Sequence, residues 1–130
     1  MKTSTCPMQK RAYLLSLTCI AFSFTLFSQT EINGVISSDS TLTLSASPYV
    51  VSYSLQIAPG ATLTIEQGVE IRFNDYVTLV VYGTLNAQGA VFTTNVSSPE
   101  PGRWSGIRIG DGNNTGHASL TNCEVRYYQE

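Results

Sequence analysis

No lysine follows Lys10 in this 130-residue chain, and only one cysteine, Cys123, follows residue 28. The first absence removes the lysine of a phosphate-binding loop from everything beyond the amino terminus. The second excludes an intramolecular disulfide and any cysteine-pair zinc site there, so that part must hold together by packing and backbone pairing. Charge is equally scarce: charged residues make up 12% of the chain, against about 25% in ordinary globular proteins. A formal net charge of −2 and a pI near 5.3 give no basic footprint, which argues against nucleic acid as a partner. Nor is there a long apolar run. The longest, Leu14 to Phe27, has 14 residues, short of the ~20 that cross a bilayer as a helix.

What that run does have is a charged approach. Lys2, Lys10 and Arg11 precede it and small Ser28 follows, the pattern of a secretory signal peptide over residues 1–28. Gln29-Thr30-Glu31 then opens a polar chain that is expected outside the cytoplasm, secreted or at the cell surface. Cys19 sits behind Thr18 and before more apolar residues, so it reads as an ordinary leader cysteine rather than a lipid-bearing one. Cys123 is expected to be buried and inert.

Beyond the leader, apolar residues alternate with polar ones. Leu55, Ile57, Leu63, Ile65, Val69, Ile71, Phe73, Val77, Leu79, Val81 and Leu85 hold the odd positions, while Gln56, Thr62, Thr64, Glu66, Glu70, Arg72, Thr78 and Thr84 hold even ones. A period of two means strands, and no helical stripe competes with it. Pro59-Gly60, Gln67-Gly68, Asn74-Asp75, Gly83 and Gln88-Gly89 punctuate the pattern with bends. Thr62-Leu63-Thr64 recurs as Thr84-Leu85-Asn86, and Gln67-Gly68 returns as Gln88-Gly89 one residue early. An echo near 22 residues is the mark of a solenoid. It predicts an all-β, right-handed parallel β-helix of about three to four coils, with Leu63 under Leu85 and Ile57 under Leu79. A β-sandwich also has short alternating strands but needs no such echo. Its favoured two-residue turns are missing too, since Asp111-Gly112 lies in a long polar loop.

Four stretches carry a resemblance: SPYVVSYSLQIAPGATLTIEQGVEIRF (47–73), LVVYGTLNAQG (79–89), GRWSGIRIG (102–110) and ASLTNCEVRYY (118–128). In their order and content the chain resembles the amino-terminal part of exported, pectin-lyase-like parallel β-helix proteins of bacterial envelopes. The resemblance implies a cap over residues 29–46, in which Leu42 and Leu44 close the lower end, followed by coils over 47–130. It also implies that the Trp104 segment re-enters the coil after an insertion. The last coil has barely begun at Glu130, which predicts an incomplete helix and self-association through an open carboxy-terminal coil.

Candidate sites are sparse. Trp104 with Arg103 and Arg108 is the candidate carbohydrate contact, set against a packing role for the tryptophan. Six of the tyrosines, at 49, 53, 76, 82, 127 and 128, offer further ring faces, though strands and coil corners use tyrosine routinely. Lyases of the resembled group cluster acidic residues for calcium beside a Lys or Arg base. Here Glu66, Glu70, Asp75 and Asp111 are scattered, and Glu66 and Glu70 read as solvated charges. The 110–116 loop lacks both P-loop lysine and spaced acidic ligands, and His117 stands alone. Asn95-Val96-Ser97 and Asn113-Asn114-Thr115 match glycosylation acceptor patterns. No catalytic residue, metal ligand or cofactor is assigned. The leading expectation is a non-enzymatic scaffold or adhesin-like module that contacts polysaccharide or envelope components and forms part of a longer protein. Its rivals are the front part of a polysaccharide lyase or glycoside hydrolase, and a gene remnant.

Overall fold

The computed structural model describes residues 28–97 and 103–127. The stretch read as a signal peptide, apart from Ser28, and Tyr128 lie outside the described residues. Among the described residues, thirteen short strands wind through three parallel sheets. Coil one holds β1 (Thr30–Glu31), β2 (Gly34–Ile36) and β3 (Ser40–Leu42); coil two holds β4 (Tyr49–Val51), β5 (Leu55–Ile57) and β6 (Thr62–Ile65). Coil three holds β7 (Glu70–Phe73), β8 (Thr78–Val81) and β9 (Thr84–Gln88). Coil four holds β10 (Val91–Thr94), β11 (Gly106–Ile109) and β12 (His117–Thr121), and β13 (Glu124–Val125) lies above β10. Sheet A runs β1-β4-β7-β10-β13, sheet B β2-β5-β8-β11 and sheet C β3-β6-β9-β12. This is a right-handed parallel β-helix, with no α-helix among the described residues.

The alternation decides which atoms enter the core. Leu55, Ile57, Leu63, Ile71, Phe73, Leu79, Val81, Leu85 and Phe92 are fully enclosed, each contributing roughly 1.5–3 kcal/mol by leaving water. Leu63 lies beneath Leu85, with Thr62 beneath Thr84 beside them, as the 22-residue echo predicts. Sheet B departs from that spacing. Ile57 lies beneath Val81, and Leu79 stands on Leu55, a shift of 24 residues, so the predicted pairing of Ile57 with Leu79 is wrong. The cause is a matched pair of corner changes. The bend between β7 and β8 is two residues longer than the bend between β4 and β5, and the bend from β8 to β9 is two shorter than its counterpart around Pro59-Gly60. Two residues preserve strand parity, so every inward side chain stays inward.

The stretch read as a cap carries β1, β2 and β3, each paired with the strand above it. Leu42 is buried at 5% exposure, but Leu44 is 53% exposed in a single 3-10 turn and does not close the column. Corner geometry is tight where coils stack. Gly68 donates its N–H to the Gly89 carbonyl at 3.0 Å, and both take positive φ, so these two bends sit one above the other. Such a conformation is open to glycine at little cost.

Candidate functional site

The sequence's leading candidate trio does not converge. Trp104 is fully buried, its ring stacked on Phe73 at 4.2 Å and 5° between planes, and its indole N–H donates to the Arg126 carbonyl at 2.6 Å. Above Phe73 the ladder supplies only Thr94, and the indole fills the volume that so short a side chain leaves. No face of this ring is open to a sugar. Arg103 pairs with Asp75 at 3.3 Å, and Arg108 extends toward Asp111 at 4.0 Å. Among the described residues the open aromatic rings are instead Tyr53 and Tyr76, 79% and 78% exposed on successive turns at the bend from sheet A to sheet B. Tyr49 is buried, and its hydroxyl bonds both the N–H and the carbonyl of Thr43.

A groove of about 520 Å³ lies on the outer face of sheet A, between Arg72, Thr93, Asn95 and Arg126. Register creates it. Thr93 stands directly above Arg72, and Arg126, whose N–H bonds the Phe92 carbonyl, follows one rung higher. One column therefore runs guanidinium, hydroxyl, guanidinium at about 4.8 Å per rung. Each arginine is tied to a glutamate two residues earlier in the chain. Arg72 Nε donates to Glu70 Oε1 at 2.7 Å, and Arg126 Nη2 donates to Glu124 Oε2 at 2.6 Å. The bond from Arg126 holds the Glu124 carboxyl below its ordinary range, and the same bond raises Arg126. The two Glu-x-Arg pairs occupy equivalent strands 54 positions apart, two turns of the helix. Sequence inspection missed the column because its members are brought together only by offsets of 21 and 33 residues.

A second groove, about 430 Å³, crosses sheet C over Thr64, Asn86 and Ser119, flanked by Glu66, Gln88 and Thr121. Glu66 is exposed to solvent, as expected of a solvated charge, and also accepts the N–H of Leu44 at 2.9 Å. In the 110–116 loop, Asp111 Oδ1 accepts the N–H groups of Asn113 and Asn114 at 2.8 and 2.7 Å. The Asn113 bond is the largest of the influences that hold the Asp111 carboxyl below its usual value. His117 opens β12 next to Thr84. Cys123 is free and half-buried against the core, more open than expected. Among the described residues no cluster of His, Cys, Asp and Glu could hold a metal ion.

No protein-family model and no solved structure matches the chain. It is similar to the protein called bark beetle of Drosophila melanogaster, with 41% identity over 56 residues. That match takes in 43% of this chain and 2% of the fly protein's length.

Proposed function

We propose that this chain is an exported, non-enzymatic β-helix module of the pectin-lyase-like kind, a rigid scaffold at the cell surface or in the surrounding medium. One observation carries the reading: three of the four arginines beyond the leader are tied to carboxylates within the coil, Arg72 to Glu70, Arg103 to Asp75 and Arg126 to Glu124. Charge employed this way fixes side chains along the sheets. A base or an acid at work needs a partner that changes during reaction. The leader-like start supports export, and the polar faces of sheets A and C supply broad surfaces for polysaccharide or envelope components.

The rival reading, the front part of a polysaccharide-degrading enzyme, draws on the arginine column beside Thr93. The two separate by experiment. The chain is expressed with its own leader, recovered from the medium, and incubated with acidic and neutral polysaccharides. The scaffold reading predicts export, with no release of reducing ends or unsaturated products. Product formation that disappears in Arg72→Gln would replace it with the enzymatic reading.

A further inference from the structure

Tyr53 and Tyr76 leave one corner of the helix on successive turns. The bend from Val51 to Leu55 lies beneath the bend from Phe73 to Leu79, one rung, about 4.8 Å, along the helix axis. Neither ring belongs to the core, yet both bends are pinned. Asn33 Oδ1 accepts the N–H groups of Ser52 and Tyr53 at 2.8 and 3.1 Å. Tyr76 donates its N–H to the Arg103 carbonyl at 2.8 Å, and its own carbonyl accepts the Ser105 hydroxyl at 3.1 Å.

Tyr76 also holds a φ of +64°, a conformation that strains a bulky side chain and that glycine takes freely. Tyr127 shares that backbone sign, but its side chain packs against the core, which gives it a structural reason to be a tyrosine. Tyr76 has no such packing, and its strained backbone holds a ring out in solvent. A residue kept in an unfavourable conformation without a packing return points to use of its side chain.

The surroundings select the ligand. The one charged residue in the two bends, Asp75, is paired with Arg103 at 3.3 Å, so nothing there calls for an ionic partner. Apolar Val77 is buried, and Ser52, Ser54 and Asn74 stand beside the rings. Two rings set among hydroxyls and an amide do not form the continuous apolar patch that a protein partner or a membrane takes. They do suit a pyranose, whose C–H face meets the negative face of an aromatic ring while its hydroxyls turn to polar neighbours.

We propose that Tyr53 and Tyr76 form a stacking platform for consecutive sugar units of a linear, uncharged polysaccharide running along the helix axis. The platform lies on the middle coils, at the corner between sheets A and B, away from both grooves. It deepens the scaffold reading and rests on it for the surface role that would bring the chain to such a polymer.

The test is retention of the purified full chain, from cell extract or medium, on insoluble cellulose, xylan and mannan, with immobilised polygalacturonate as the acidic comparison. At least one neutral polymer should retain the chain. Tyr53→Ala and Tyr76→Ala should each weaken that retention about fivefold or more, the effect of truncating a principal contact, whereas Tyr53→Phe and Tyr76→Phe should keep most of it. Tyr76→Gly should bind as poorly as Tyr76→Ala while its melting temperature holds or rises, since glycine accepts the positive φ. Retention by none of the neutral polymers, or by polygalacturonate alone, overturns the proposal. So does unchanged retention in both alanine variants, or a clear fall in the melting temperature of Tyr76→Gly, which would make the ring a structural part. Failed export or product formation in the preceding experiment would overturn the scaffold reading and leave these retention results unaffected, so the two fail separately.

Discussion

Leu85 and Thr84 are neighbours with opposite fates, one fully buried and one facing outward. Leu85→Asp should cost about 4 kcal/mol in chemical denaturation, because an unpaired carboxylate would enter an aliphatic column. Thr84→Asp should change stability by less than about 1 kcal/mol. Trp104→Ala should cost about 3–5 kcal/mol, since it empties the space above Phe73 and removes the bond to the Arg126 carbonyl. A carbohydrate-contact residue would instead lose binding and keep its melting curve. Glu124 makes a pH prediction. Its carboxyl is held low by Arg126, so the pair stabilises the folded chain above the ordinary glutamate range and loses that contribution as pH falls through the depressed value. Thermal melts from pH 6 to pH 3 should therefore fall more steeply for the natural chain than for Glu124→Gln.

At the scale of strands and bends, parity was legible and spacing only partly so. A strand's inward set follows from its own alternation, which is why the column through Leu63 and Leu85 could be placed without coordinates. The column through Ile57 could not, because the longer bend before β8 and the shorter one after it cancel within one coil. The arginine column on sheet A was hidden for the same reason, its members being separated by unequal offsets. Trp104 was ambiguous because polar residues surround it in sequence, while its burial depends on Phe73 and Thr94, brought near only by winding. Bends carry their own test. A Cβ on Gly116 would sit 1.9 Å from the Val81 carbonyl oxygen, so Gly116→Ala should destabilise by roughly 1–3 kcal/mol through overpacking. Gly112→Ala, with nothing within 4 Å, should cost far less.

Across the whole molecule, parallel stacking encloses one apolar core between three sheets and leaves their outward residues outside it. That shape suits a scaffold, since its faces can vary while the inward columns stay fixed. The grooves and the inward columns both depend on which residues share a rung, and sheet B is where competing registers differ most plainly. The direct measurement is cross-linking of outward positions after Cys123→Ser. Parallel neighbours stand about 4.8 Å apart, within the Cα separation a disulfide accepts. Gln56→Cys with Val80→Cys, partners in the structure, should oxidise readily to an intramolecular disulfide. Gln56→Cys with Thr78→Cys, the pair a uniform 22-residue spacing would match, should stay largely reduced under the same conditions. Preferential closure of the Gln56–Thr78 pair, or of neither, would contradict the β-helix register on which the account stands.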